Sequence, residues 1–169
     1  PQYLNWPKRR NSFVCPWFSC PKCGEDLIWR DEDIDAQRER LNCTQTNCET
    51  VVDENQLVLT RTSLTQKAPD ILFTTTEMLN QRMSDIGMRK LFGLGKSKNH
   101  KPHFMLLDEA HTYVGTSGAQ AALVLRRWRY LLDSPVVWCG LSATLREAPR
   151  FFSELTGLNP DRVVEITPN

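Results

Sequence analysis

Three short apolar runs punctuate the later part of the chain: Ile71-Leu72-Phe73, Phe104-Met105-Leu106-Leu107 and Val136-Val137-Trp138-Cys139-Gly140-Leu141. Each is too short for a helix and unbroken by polar residues, which predicts strands buried on both faces of a parallel sheet. Helical spacing fills the intervals. Met78, Leu79 and Met83 give one side to a helix that begins near Glu77, and Ala121, Leu125, Trp128, Leu131 and Leu132 give one face to a helix over about Ala119 to Leu132. A closing helix starts with Pro149 in its first turn, turns Phe151, Phe152 and Leu155 inward and stops at Gly157. Gln56–Thr60 reads as a short strand or as the return from the insert, and Arg162–Ile166 as a final short strand. Strands alternating with helices predict an α/β sheet with flanking helices.

The polar residues that end these runs are informative. Asp108, Glu109 and His111 follow Leu107, and Ser142-Ala143-Thr144 follows Leu141. The C-terminal edge of a parallel sheet is where open α/β folds bind ligands, so these groups are placed for chemistry. Ile71-Leu72-Phe73 ends in Thr74-Thr75-Thr76-Glu77. Thr75 or Thr76 fits an N-cap, and Glu77 suits the positive end of the helix dipole. Free amides and hydroxyls there can hold a phosphate. Arg126, Arg127 and Arg129 read as a solvated helix face. Residues 89–103 carry Arg89, Lys90, Lys96, Lys98 and Lys101 with Gly93 and Gly95, and read as a flexible loop, solvated by default or in contact with a nucleic-acid backbone as the functional option; His100 and His103 lack partners at ligand spacing.

The earlier part follows another logic. Cys20-Pro21-Lys22-Cys23-Gly24 is a tight knuckle presenting two thiols, and Cys43 and Cys48 form a second pair. Four thiolates suit tetrahedral Zn²⁺, and two such pairs predict a zinc ribbon with Leu27-Ile28-Trp29 and Arg40-Leu41-Asn42 as hairpin arms. Cys15 is the rival to Cys20, set aside because it would leave one arm too wide. Cys139 reads as a buried core thiol. The organisation expected is a connecting segment over 1–19, a zinc-ribbon insert over 20–54 and an α/β domain over 55–169.

Charge separates the same regions. From Cys20 to Thr60 there are four Lys/Arg against ten Asp/Glu, whereas the whole chain of 169 residues is at +1. An acidic ribbon is opposed to phosphate, so a structural or protein-contacting role is expected for the zinc module. Lys8, Arg9 and Arg10 form a small basic cluster that could touch phosphate, with a solvated surface segment the favoured reading. No apolar run is long enough to span a membrane, and the N-terminal residues lack the core of a secretory signal. Metal-ligand cysteine spacing fits a reducing, cytoplasmic setting.

The order Thr-Thr-Glu, Asp-Glu-Ala-His, Ser-Ala-Thr resembles motifs Ib, II and III in the first RecA-like domain of a superfamily 2 DEAH-box helicase. The flanks narrow it: Thr112-Tyr113, Gly115, Gly118, Leu125-Arg126-Arg127, Leu145 and Leu155-Thr156-Gly157-Leu158 look like the MrfA-like group and the large phage-defence helicases of the DISARM, Druantia and dpd kind. The resemblance covers roughly residues 55–168; Thr76 stands where the family usually has proline. It implies an incomplete RecA-like sheet, with ATP and Mg²⁺ as cofactors and single-stranded DNA as the track. Asp108 would hold Mg²⁺ and Glu109 would orient and deprotonate the attacking water. His111, Ser142 and Thr144 would couple nucleotide state to the strand-binding surface, which Thr75 and Thr76 would help form.

No Gly-x-x-x-x-Gly-Lys-Ser/Thr phosphate loop occurs in the chain. The expectation is an internal piece of a longer enzyme, with its Walker A segment before Pro1, a second RecA-like domain elsewhere and defence-system subunits as partners. Such a piece alone would not hydrolyse ATP. The alternative is a zinc-stabilised interaction module on a degenerate, non-hydrolysing scaffold. A plain zinc-ribbon DNA binder is disfavoured by the acidic block.

Overall fold

A computed structural model describes residues 2–95, 101–143 and 145–167. The chain divides into two units, residues 1–69 and 70–169.

The first unit is a four-stranded antiparallel sheet in sequence order: β1 (Ser12–Ser19), β2 (Asp26–Arg30), β3 (Arg40–Cys43) and β4 (Val51–Asp53). The hairpin arms pair with Ile28 opposite Asn42 and Trp29 opposite Leu41. β1 lies at the sheet edge, and its register shifts between Val14 and Ser19, a stretch containing Pro16. Proline has no N–H for a ladder, which confines it to such an edge. Alternation turns Phe13 and Cys15, Leu27 and Trp29, and Leu41 into one core with Trp6 and Cys20. Tyr3 meets Phe13 and Trp29 edge-on at 5.3 and 5.2 Å, and Trp29 donates its indole N–H to the Arg38 carbonyl at 2.9 Å. A short helix, α1 (Asp31–Asp35), joins β2 to β3.

Of the two readings of Gln56–Thr60, the strand does not form. The Gln56 and Leu57 amides donate to the Asp53 carbonyl, and those of Leu59 and Thr60 find a carboxylate instead of a neighbouring strand. Buried Glu39 accepts from the Leu59 amide at 2.5 Å, the Thr60 amide at 3.3 Å, the Ser63 hydroxyl at 2.6 Å and the Thr60 hydroxyl. Thr60 then caps a helix that the apolar pattern did not predict, α2 (Arg61–Gln66), by accepting from the Ser63 amide.

The second unit holds two parallel strands, β5 (Phe104–Leu107) and β6 (Val137–Gly140), with Phe104 opposite Val137 and Leu107 opposite Gly140. Three helices accompany them: α3 (Thr76–Met83), α4 (Gly115–Leu132) and α5 (Ala148–Thr156). α4 buries Gly118, Ala121, Leu125, Trp128 and Leu132, an i, i+3, i+4 stripe, and leaves Leu131 exposed. It starts earlier than the pattern predicts because Gly118 admits very close packing: a Cβ there would lie 2.3 Å from the Tyr113 carbonyl oxygen. Trp128 donates to the Phe92 carbonyl at 2.9 Å and meets Trp138 edge-on.

Several expectations are corrected in this unit. Ile71-Leu72-Phe73 is not a strand. Leu72 packs on the core while Ile71 and Phe73 are exposed, and no strand among the described residues lies beside them. Arg162–Ile166 is likewise unpaired; a 3-10 turn over Pro160–Arg162 precedes it, and Val164 and Ile166 face solvent. β5 and β6 are covered on one face only. Met105, Leu107 and Trp138 pack on the core, and Gly140 lies against Phe152, while Phe104 (67 %), Leu106 (56 %) and Val137 (56 %) are exposed. Residues 89–95 are packed rather than a loose loop: Phe92 and Leu94 are buried, and left-handed Gly93 fits against Pro102 and Leu132. Lys101 donates to the Leu132 carbonyl at 2.5 Å. Lys96, Lys98 and His100 lie outside the described residues. No helix among the described residues is long and apolar enough to cross a membrane.

The arginine face of α4 is also engaged. Arg126 donates to the Glu154 carbonyl and Arg129 to the Gly157 carbonyl at 2.8 Å, so both satisfy orphan acceptors at the C-terminus of α5. Arg127 reaches the Ser84 hydroxyl at 3.1 Å, just past α3. Helix α5 begins with proline in its first turn and ends on left-handed Gly157, as its sequence predicts.

Candidate functional site

The register of β5 on β6 brings two sequence-distant motifs together. The Leu141 amide donates to the Leu107 carbonyl at 2.9 Å, and the Ala110 amide donates to the Leu141 carbonyl at 2.8 Å. The chain therefore leaves both strands side by side, with Asp108–His111 against Leu141–Ser142. Glu109 makes the turn with left-handed backbone, φ 48° and ψ 46°, a conformation costly for a residue with a Cβ. The turn is held from both sides. Asp108 Oδ1 accepts from the Glu109 amide at 2.9 Å, and the Thr112 hydroxyl donates to the Glu109 carbonyl at 2.8 Å.

His111 is the hinge of this arrangement. Its Nδ1 lies 3.3 Å from Glu109 Oε2 and 3.3 Å from Ser142 Oγ. One imidazole nitrogen thus contacts the acid after β5 and the hydroxyl after β6. The Glu109 carboxylate is 63 % exposed, so it is reachable from solvent. Asp108, Glu109, His111 and Ser142 form one cluster; Thr144 lies outside the described residues. Thr75 is the N-cap of α3, accepting from the Met78 amide at 3.1 Å, and Thr76 opens the helix. Glu77 is fixed by Gln81, whose amide donates to it at 2.7 Å.

In the first unit, Cys20, Cys23, Cys43 and Cys48 converge, with all four sulfurs within 4.8 Å of one another. Cys20 and Cys48 sulfurs are 3.7 Å apart, and those of Cys23 and Cys43 are 3.4 Å apart. Four sulfurs held tetrahedrally at ~2.3 Å from zinc are about 3.8 Å apart, so the donor set fits the ion. Left-handed Gly24, φ +79°, lets the knuckle close, and its amide donates to the Cys20 carbonyl at 2.8 Å. Cys15 lies in the hydrophobic core and is not among the four.

The thiols are electrostatically unequal. Burial pushes the Cys20 thiol up, but amides of Lys22 and Cys23, the Thr50 hydroxyl and the Cys23 thiol outweigh it and bring it down to about 6. The Glu25 amide lowers Cys23, yet burial and the three neighbouring thiols push it up to about 12. Cys48 is lowered, chiefly by the Thr50 hydroxyl, and Cys43 is raised by burial. Such crowding favours some thiolates at the expense of others, and a divalent cation removes the conflict.

Comparison with known proteins bears on the motif cluster. The chain is 29 % identical over 129 residues to Druantia protein DruE of Escherichia coli, strain UMEA 4076-1. It is 35 % identical over 105 residues to the Lhr helicase/uracil glycosylase of Escherichia coli K12, and 30 % identical over 105 residues to the ATP-dependent helicase hrq1 of Schizosaccharomyces pombe. Two of these relatives are helicases. The matches cover 68, 62 and 60 % of this chain but only 7, 6 and 9 % of the respective relatives. No family model matches the chain, and no solved structure does.

Sequence reasoning missed two features that hold these sites. Glu39 looked like one more acid in an acidic block, and nothing in its neighbours marks it as the cap for residues 59–63. The arginines of α4 could have been flagged by their distance from any acid on the same helix turn, a pattern that leaves carbonyls as partners.

Proposed function

We propose that the chain is part of an ATP-dependent nucleic-acid helicase or translocase, with DNA as its track, and that residues 70–169 contribute a portion of its first RecA-like domain. One observation carries the reading: His111 bridges Glu109 and Ser142 at the ends of two parallel strands, in a chain whose relatives include helicases.

Asp108 is the residue to hold Mg²⁺, and Glu109 is the base that takes a proton from the attacking water. A bound Mg²⁺ supplies neutralisation of phosphate charge. His111 reports the state of Glu109 to Ser142 and onward to Thr144. The N-terminus of α3, with Thr75 and Thr76, offers amides and hydroxyls to a strand phosphate. The bare face of β5 and β6 fits a sheet covered on that side by other parts of a longer polypeptide, which would also supply the phosphate loop and a second RecA-like domain. Cys20, Cys23, Cys43 and Cys48 hold Zn²⁺ as a closed structural site, because four protein ligands leave no open position for catalysis. Similarity to a Druantia protein favours anti-phage defence over general repair, and free thiols at a metal centre favour the cytoplasm.

The test is ATPase activity of the full-length parent with and without single-stranded DNA, for wild type and Glu109→Gln. Loss of the base should lower DNA-stimulated turnover by about 10²–10⁴-fold. Undiminished turnover in the variant would overturn the assignment of Glu109.

A further inference from the structure

The sum of charge over the ribbon hides its arrangement. An open groove of about 460 Å³ on the first unit is lined by Arg9, Arg10 and Arg30, with Asn11, Ile28 and Thr44 between them, and no acid lines it. The arginines are held by backbone, not by chance. The Arg9 amide donates to the Ser12 carbonyl at 2.9 Å and the Ser12 hydroxyl donates to the Arg9 carbonyl at 2.8 Å, which closes a turn around left-handed Arg10, φ 48°. Ser12 is the register partner of Arg30, and the Asp31 amide donates to the Asn11 carbonyl at 3.0 Å. The turn and the strand end are thereby locked together. Among the described residues no carboxylate pairs with Arg9 or Arg10. Arg30 shares an exposed contact with Glu32 at 3.3 Å, of the kind that contributes little.

We propose that this groove binds the phosphate backbone of a polynucleotide strand. Guanidinium groups suit phosphate oxygens in paired hydrogen bonds, and Asn11 adds a neutral donor of the kind that contacts backbone, whereas the Thr44 hydroxyl already donates to the Asp26 carbonyl at 3.1 Å. No acid is among the lining residues and Glu32 stands beside Arg30 only at the rim, so the ribbon's net charge does not by itself decide what this face attracts. The groove gives the zinc module a role in guiding the strand, and the identity of the polymer rests on the helicase reading above.

The experiment is fluorescence anisotropy of the full zinc-loaded chain with 5′-labelled (dT)20, without ATP, over a series of KCl concentrations. Each phosphate contact contributes about 0.7 to the slope of log K against log salt on a single strand. Arg9→Ala/Arg10→Ala/Arg30→Ala should therefore lower the slope by about 2 and weaken binding about 50-fold at 0.15 M salt. Arg10→Ala alone should lower the slope by about 0.7, while Lys67→Ala, which removes a charge outside the groove, should leave it unchanged. Zinc content and far-UV circular dichroism matching wild type show that the variants are folded. An unchanged slope in the triple variant, or an equal loss in Lys67→Ala, would overturn the proposal. Displacement of (dT)20 by polyglutamate at equal charge concentration would overturn it in favour of an acidic polypeptide. Because the readout needs no nucleotide hydrolysis, its failure leaves the Glu109 test standing, and the reverse also holds.

Discussion

Gly118 offers a sharp test of how the motif cluster is supported. A Cβ built there lies 2.3 Å from the Tyr113 carbonyl oxygen and 2.4 Å from its carbon. Cβ atoms essentially never approach a heavy atom closer than 3.0 Å, so Gly118→Ala demands a shift of at least the 0.7 Å difference from backbone that cannot rotate away. The displaced segment runs from Ala110 to Val114, directly after the acid pair. Overpacking of this order costs about 1–3 kcal/mol. Gly115 supplies the contrast. Its φ is +62°, but nothing lies within 4 Å of a Cβ there, so Gly115→Ala costs only the left-handed strain of about 1 kcal/mol, and Gly115→Asn less. Urea unfolding followed by tryptophan fluorescence measures all three. Gly118→Ala should be the most destabilised. A Gly118→Ala protein within about 0.3 kcal/mol of wild type would refute the close approach of α4 to Tyr113.

Other consequences can be measured separately. Cys43→Ser or chelation should lose about one zinc per chain and unravel the first unit, since metal binding worth about 10–16 kcal/mol exceeds what so small a core supplies; Cys15→Ser should keep its zinc, and loss there would revise the ligand set. Glu39→Gln replaces an acceptor with a partial donor facing two amides and two hydroxyls, so it should cost about 1–3 kcal/mol and raise hydrogen exchange at Leu59 and Thr60; unchanged exchange would show that the carboxylate does not hold them. His111→Ala removes two contacts of roughly 1 kcal/mol each, which predicts a fall of up to about 30-fold in kcat of the parent ATPase, with little change in KM for ATP. A KM effect alone would place His111 in nucleotide binding rather than coupling.

What the sequence disclosed depended on whether a signal was local. The cysteine pairs, the caps at Thr75 and Gly157, and the stripe on α4 follow from spacing within one turn or one element. The strands at 71–73 and 162–166 did not form because a strand needs a neighbour, and apolar composition does not say whether one is present. For the same reason, continuous burial on both faces was wrongly read from Phe104–Leu107: the run describes the strand, not what covers it. His111 contacting Ser142 depends on the register of β5 on β6, which no local pattern records. A charge summed over Cys20 to Thr60 does not record that Arg9 and Arg10 meet Arg30 through the pairing of β1 with β2.

The edge strand of the ribbon bears on how such a module can be moved between proteins. The residues between the first and last ligands carry the metal, but Trp6, Phe13 and Cys15 complete the core from one side, and Leu59, Thr60 and Ser63 receive Glu39 from the other. A graft cut at Cys20 and Cys48 would transplant a chelate without its fold. A graft that keeps the fold would need the stretch from Tyr3, which packs on Phe13 and Trp29, to the helix that Thr60 caps.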